Sequence, residues 1–359
     1  MKRYGYLYEK ICDIENIKLA IVKASKKKTK RRDVRRILNN IDYYALEIQE
    51  MLISQQYKPS PYKVTKIYDG ANNKERIIHK PNFYPDQIIH WSLMLVLESI
   101  LIKGMYAHSC GSIPGKGSSW GHKYIEKWIR NDKKNTKYCL KLDIRKFYDS
   151  VNHESLKTVF KQKIKDKKAL WLISSIIDSC DGLPIGNYTS QWFANFLLTK
   201  LDHHIKEELK VKYYLRYIDD MVLFGNNKKK LHRAKKEIEK LLSEMKLNIK
   251  GNWQVFRVDD RGVDFLGLRF FRKKTILRKR NALRIKRRAK KITKKQRLNS
   301  KDAAAIISYW GWIKRSDSYN FYNMHIRKHI KINEARRAIS ENSKYSNAYK
   351  GSRNRKKEK

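Results

Sequence analysis

The run Tyr213-Tyr214-Leu215-Arg216-Tyr217-Ile218-Asp219-Asp220-Met221-Val222-Leu223-Phe224 limits what this chain can fold into more than any other stretch of it. Two adjacent carboxylates interrupt two apolar and aromatic segments, a pattern that predicts a β-hairpin with Asp219 and Asp220 at its turn. Like charges in an otherwise apolar hairpin are costly unless a positive charge lies between them, and a divalent cation is the economical choice. Upstream, Tyr138 to Leu142 reads as a second strand that Asp143 closes, within Lys141-Leu142-Asp143-Ile144-Arg145-Lys146-Phe147-Tyr148-Asp149-Ser150. A third carboxylate on a neighbouring strand would complete a two-metal site, the kind that activates a hydroxyl and stabilises a leaving pyrophosphate.

Charge narrows the partner. Across 359 residues there are 83 Lys and Arg against 35 acids, a formal +48. Such an excess implies a polyanion, nucleic acid first, with a solubilising surface or an anionic membrane as the alternatives. The longest apolar candidate, Ile88 to Ile102, is broken by His90, Ser92, Glu98 and Ser99 and reads as a buried helix rather than a membrane span. Met1-Lys2-Arg3 leads into mixed polar and aromatic sequence, so no N-terminal signal is expected. Cys12, Cys110, Cys139 and Cys180 lack metal-like spacing and imply free thiols in a reducing cytoplasm.

The remaining organisation follows from periodicity and breakers. Residues 1–60 read as a basic helical extension, with Lys26 to Arg36 densely positive and Leu38 to Leu52 at helical spacing. Val64 to Tyr68 and Glu75 to His79 flank Asp69-Gly70-Ala71-Asn72-Asn73 as a hairpin. A helix is expected over 86–102, then a Gly- and Ser-rich loop including Gly111 to Gly117. Helices follow at Glu154 to Ile164 and Lys168 to Asp178, then the turn at Gly182 to Asn187, an apolar helix through Trp192 to Leu209, and another at 228–246. Strands are expected around Asn248, Gln254 and Asp264 to Phe270. The order β, α, β-hairpin, α, β makes an α+β lobe, not a doubly wound sheet. Arg272 to Arg297 holds 15 Lys or Arg and no acid, a largely helical segment suited to a phosphate backbone. Residues 341–359 read as a disordered basic tail.

Together these segments resemble a reverse transcriptase over most of the chain. Tyr217-Ile218-Asp219-Asp220 resembles its catalytic box and Asp143 to Ser150 its first metal-binding box. Leu183-Pro184-Ile185-Gly186-Asn187-Tyr188-Thr189-Ser190-Gln191 is more specific: most members carry Gln before that Gly and Pro after the Ser, whereas here Ile185 and Gln191 stand there. The pattern is similar to the enzymes of diversity-generating retroelements and their bacterial relatives. Trp253-Gln254-Val255, Arg261-Gly262-Val263-Asp264-Phe265-Leu266-Gly267, Leu277-Arg278-Lys279 and Ser308-Tyr309-Trp310-Gly311-Trp312 resemble that group too.

The resemblance implies a right-hand polymerase fold with fingers and palm followed by a helical thumb. Fingers, with part of the palm, would span 61–135, the palm 136–270 and the thumb 271–340. It implies two Mg²⁺ ions, with Mn²⁺ as a substitute, on Asp143, Asp219 and the Ile144 carbonyl, and Asp220 at one ion or behind it. Tyr148 stands at the sugar gate, where a bulky ring excludes a 2′-hydroxyl; the bland alternative is a core aromatic. Arg76 is placed to bind triphosphate, its fork suited to phosphate oxygens, with Lys74 assisting; a solvated charge is the alternative for each. Gly186 either admits the base pair to the backbone or simply turns the chain. Gln191 either touches the templating pair or caps its helix, and Lys250 is placed near the pyrophosphate. Phe265, Leu266 and Gly267 resemble a primer grip. Lys116 is expected on nucleic acid, in a loop that lacks the spacing of a P-loop. Arg278, Lys279, Arg280, Lys286, Arg287 and Arg288 are expected there as well.

Ile185 offers shape without a polar contact, which predicts reduced fidelity unless it is an ordinary packing residue. The implied partners are an RNA template, a DNA primer, dNTPs, a structured noncoding RNA and a small basic helical accessory protein, with no membrane and with self-association left open. No RNase H or His-Asn-His-like region is recognisable. Three readings stand: a low-fidelity polymerase of a diversity-generating element, a domesticated polymerase in bacterial antiphage defence, and a non-catalytic RNA-binding scaffold.

Overall fold

Four helices open the chain: α1 (Tyr8–Cys12), α2 (Ile14–Ser25), α3 (Arg32–Leu38) and α4 (Ile41–Ile53). Asp13 caps α2, accepting from the Asn16 amide at 2.9 Å. Ile17, Ala20, Ile21 and Ala24 recur at helical spacing and are buried. These side chains share one apolar core with the body, and polar contacts add to it: the Leu7 and Tyr8 amides both donate to Asp166 Oδ2, at 2.7 and 2.8 Å. The computed structural model describes residues 3–69, 74–294, 298–329 and 331–341, and the side chains of Asp69 and Lys74 lie outside what it describes.

A hairpin of β1 (Lys63–Asp69) and β2 (Lys74–Lys80) follows, antiparallel, with Ile67 opposite Arg76. A π-helical turn over Phe83–Gln87 leads into α5 (Ile88–Ile102), so the expected helix starts one turn differently from a plain α-helix. Next come α6 (Ser118–Asn131), β3 (Tyr138–Asp143), α7 (Phe147–Ser150), α8 (His153–Lys163), α9 (Lys167–Ile177), α10 (Tyr188–Leu197) and α11 (Thr199–Glu207). The Asp-Asp hairpin is β4 (Tyr213–Tyr217) and β5 (Asp220–Gly225), followed by α12 (Lys228–Glu244) and β6 (Gln254–Arg257). The strands form one sheet in the order β4-β5-β3-β6. β5 is buried on both faces from Met221 to Phe224, whereas β3 buries Leu140 and Leu142 on one face and leaves Lys141 partly exposed on the other. The strand expected around Asn248 is a single bridge, Ile144 to Ile249.

The described residues fall into two compact units: the chain up to Gly121 with Lys134–Phe256, and His122–Lys133 with the chain from Arg257. The second unit holds α13 (Val258–Arg261), a three-stranded antiparallel sheet of β7 (Val263–Phe265), β8 (Leu268–Phe270) and β9 (Thr275–Leu277), then α14 (Lys279–Thr293), α15 (Ser300–Ile313) and α16 (Tyr319–Tyr322). Its core includes Val263, Phe265, Phe270, Ile285 and Ile306. The basic segment expected to be helical from Arg272 therefore begins as a strand: Thr275 and Leu277 point inward from β9 and α14 starts only at Lys279. Residues 70–73, 295–297 and 342–359, which take in the expected hairpin loop and most of the expected disordered tail, lie outside the described residues.

Burial leaves one histidine exposed to acid titration only through unfolding. His90, in α5, is fully buried, its Nδ1 has no partner, and burial pushes its pKa down to about 3. The unfolded chain takes up this proton near pH ~6.5, so the unfolded state binds more protons between that pH and about 3. Stability is then full above pH ~6.5 and is lost as pH falls, by about 1.4 kcal/mol per pH unit from this group. Denaturant titrations between pH ~7.5 and ~5 should show a slope about one proton shallower in His90→Gln; an unchanged slope would refute the assignment.

Candidate active site

The site is built by strand register. β3 and β5 pair antiparallel with Asp143 opposite Asp220, and β4 pairs with β5 so that Tyr217 faces Asp220. Ile218 and Asp219 make the turn, and the Ile144 amide donates to the Asp219 carbonyl at 3.3 Å. Asp143, distant in sequence from the adjacent pair Asp219 and Asp220, thus shares one end of the sheet with them. Burial, and next the charge of Asp143, push the Asp219 carboxyl up to about 6, while the Arg76 guanidinium pulls the other way.

Cations stand at this cluster. Lys250 Nζ lies 3.3 Å from Asp143 Oδ2, and its amide donates to the Asp143 carbonyl at 2.8 Å. Lys141 Nζ lies 3.9 Å from Asp220 Oδ1. Among the described residues no group of three or more His, Cys, Asp or Glu forms a ready-made metal cage. The donor set nonetheless fits a divalent cation. Hard carboxylate oxygens crowd together, and the raised Asp219 carboxyl is what an added positive charge would reverse.

Tyr148, on α7, is partly buried beside the cluster. Its hydroxyl is pushed above the ordinary phenol range, first by burial and then by the charges of Asp219 and Tyr217. The turn before α10 meets the β1–β2 hairpin. The His79 amide donates to the Ile185 carbonyl at 2.8 Å. Gly186 sits at φ 138°, and a Cβ there would fall 2.1 Å from the His79 carbonyl oxygen. The backbone that Gly186 admits in this structure is therefore that of β2, and this seat holds Arg76 within electrostatic reach of Asp219. Gln191 lies exposed in the first turn of α10, its carbonyl accepting from Asn195 Nδ2 at 3.0 Å. Lys74 opens β2, with its side chain outside the described residues.

Several expected nucleic-acid contacts are otherwise engaged. Lys116 turns inward: its Nζ donates to the Ala107 carbonyl at 2.8 Å over the Trp120 ring, and burial lowers its pKa. In the second unit Arg278 is ion-paired with Asp264, its Nε donating at 2.6 Å, and Arg288 is ion-paired with Asp302. Arg278 and Arg288 are partly exposed, as is Lys286, and Lys279, Arg280 and Arg287 are exposed. Buried Phe265 ends β7, and Leu266 at φ 46° and Gly267 at φ 89° make the turn into β8. The Gly267 carbonyl accepts from Asn281 Nδ2 and the Arg278 amide, at 3.0 and 3.1 Å. Two residues escaped the sequence reading: Lys141, visible only as the outward alternate of β3, and Arg216, a lone charge inside an apolar strand.

Comparison with known proteins adds a family. The profile described as reverse transcriptase (RNA-dependent DNA polymerase) matches residues 72–270. The chain is 30% identical over 132 residues to the retron Ec73 reverse transcriptase of Escherichia coli, covering 32% of this chain and 42% of that one. It is 21% identical over 253 residues to the COX1/OXI3 intron 2 protein of Saccharomyces cerevisiae, covering 64% of this chain and 28% of that one. The match thus spans less than half the length of these curated relatives. Apo telomerase from Candida tropicalis shares the fold, with a TM-score of 0.50 and 16% identity over 81% of this chain and 59% of that one.

The seat of the hairpin is open to direct test. Gly186→Ala places a methyl group against the His79 carbonyl and forces a side chain to φ 138°. It should cost about 1–3 kcal/mol of stability and accelerate hydrogen exchange at the His79 amide. Unchanged exchange there would mean that the hairpin is held elsewhere.

Proposed function

The chain belongs to the reverse transcriptase family, and we propose that it is an RNA-directed DNA polymerase, extending a DNA primer with deoxynucleotides along an RNA template. The observation that carries this reading is the register that brings Asp143 opposite Asp220 and beside Asp219. Asp143, Asp219 and the Ile144 carbonyl would hold the divalent ions, with Asp220 supporting. Hard oxygen donors favour Mg²⁺, and Mn²⁺ would substitute. Bound ions of this kind lower the pKa of an attacking hydroxyl and neutralise a departing pyrophosphate.

The protein's own groups do the rest. Arg76 orients the triphosphate through its planar fork. Lys250, which lies beside Asp143, would supply a proton or a neutralising charge to pyrophosphate once that carboxylate held a cation in its place. Tyr148 walls the sugar side. Fingers (61–135) and palm (136–270) would fall mostly in the first unit, and the thumb (271–340) in the second, together with the end of the palm that carries the primer-grip residues. Exposed Lys279, Arg280 and Arg287 supply phosphate contacts, so synthesis should weaken steeply as salt rises.

The finer setting is a low-fidelity polymerase of a diversity-generating-type element, working with a structured RNA and a small basic helical protein. Its support is the Ile185 and Gln191 pattern. A second setting is a domesticated reverse transcriptase in bacterial antiphage defence, with a noncoding RNA; similarity to a bacterial reverse transcriptase is in keeping with it. A reducing cytoplasm suits the four free thiols. Among the described residues no helix is long and apolar enough to cross a membrane.

Primer extension on an RNA template with Mg²⁺, with and without RNA from the native host, tests the activity. Asp219→Asn and Asp220→Asn together should reduce synthesis by roughly 10²-fold or more. RNA binding without extension by the wild type under every condition would instead favour the scaffold. The same assay probes selection. Tyr148→Ala should admit ribonucleotides, and Ile185→Gln should change the misincorporation spectrum. An unchanged spectrum would remove the fidelity reading and leave the polymerase intact.

A further inference from the structure

The turn that carries Asp219 is held in a conformation its own residue disfavours. Ile218 sits at φ 59°, in the left-handed region, where a β-branched side chain is a genuine outlier. Such a residue persists only where its surroundings over-determine it. Arg216 Nη1 donates to the Ile218 carbonyl at 2.9 Å. Gly111 closes the other side: a Cβ built there would lie 2.5 Å from Ile218 Cγ1 and 2.8 Å from the Ile218 nitrogen. Asn195 joins the two, its Nδ2 donating to the Gly111 carbonyl at 2.8 Å and its Oδ1 accepting from Arg216 Nη1 at 3.0 Å.

The guanidinium is itself fixed. Arg216 and Asp202 are completely buried. Arg216 Nε and Nη2 donate to the two Asp202 oxygens at 2.8 and 2.5 Å, and the Tyr214 hydroxyl donates to the same carboxylate at 2.7 Å. Two arms of a rigid fork are thus spent on Asp202, and the third is aimed at the turn. Asp202 extends from α11, Asn195 from α10 and Arg216 from β4, so three elements converge behind one peptide.

We propose that Arg216 is a positioning residue for nucleotidyl transfer: with Asp202 and Asn195 it clamps the strained Ile218 turn and so aims Asp219 at Asp143. This rests on the reading of Asp143 and Asp219 as metal-holding carboxylates. The link is short. Asp219 follows Ile218 directly, and its carbonyl takes the Ile144 amide, so relaxing Ile218 to negative φ would swing Asp219 away from the end of β3. A buried ion pair is a poor source of stability compared with apolar side chains of the same volume. The Nη1 bond gives this pair a geometric reason to be where it is.

A double-mutant cycle tests the clamp. Arg216→Lys keeps a cation for Asp202 but loses the third arm. Ile218→Gly removes the penalty for positive φ. In the natural background Arg216→Lys should lower kcat roughly tenfold or more, and should weaken Mn²⁺ binding to the free protein, read by electron paramagnetic resonance, by a similar factor. Primer–template affinity should stay unchanged. In the Ile218→Gly background the same exchange should cost under about threefold in both readouts. Gly111→Ala, which presses on Ile218 without touching the ion pair, should reproduce the loss of Mn²⁺ binding.

Equal losses from Arg216→Lys in both backgrounds, or losses that only track melting temperature, would overturn the clamp. Asp219→Asn separates the two levels. If it leaves Mn²⁺ binding intact, the metal reading falls and the clamp with it. If it abolishes binding while the cycle shows no coupling, the clamp alone falls.

Discussion

Like charges held together at the end of β3 and β5 are the constraint on which the first unit turns. The pairing of Asp143 with Asp220 fixes which side chains meet, because a slip of one residue would send every side chain of the strand to the opposite face. On β3 the pattern enforces that register: Leu140 and Leu142 are buried, and a slip would exchange their face with that of the charged Lys141. Core packing thus does the electrostatic work of crowding carboxylates, and the cost appears as the raised Asp219 carboxyl.

The positive charges near this cluster differ in kind from the chain's overall excess. Lys250 and Lys141 stand beside Asp143 and Asp220 as compact ammoniums at 3.3 and 3.9 Å. Arg76 reaches Asp219 electrostatically from the hairpin, whose backbone is seated by Ile185 and Gly186 against His79. The formal +48 accounts for affinity toward a polyanion and for its salt dependence, and says nothing about which atoms are positioned for reaction.

That difference explains what the sequence made legible. Asp219 and Asp220 stand out because charge inside a strand pattern is improbable, and Asp143 because it closes another strand. Most helices were readable from spacing alone. The fate of individual cations was not: Lys116, Arg278 and Arg288 look like any other basic residue until tertiary structure supplies Ala107, Asp264 and Asp302 as partners. The strand at Thr275–Leu277 was hidden by the lysines and arginines around it, since a three-residue strand carries too little periodicity to be seen. Gly186 was readable as a turn but not as the landing point of β2, because a close approach between segments so distant in sequence leaves no local signal.

Arg216 marks the boundary of such reading. In sequence it breaks the apolar alternation of β4, and its partner Asp202 resembles the polar side of a helix. Only their burial shows that neither faces water. A buried pair contributes little by itself, because the cost of desolvating two charges offsets most of their attraction. Orientation is a different matter: the planar fork leaves the guanidinium few ways to satisfy its donors, and the one adopted ends on the carbonyl of the residue before Asp219. The same low dielectric that makes these charges expensive therefore makes their geometry stiff, and stiffness is what a turn at positive φ needs from its surroundings.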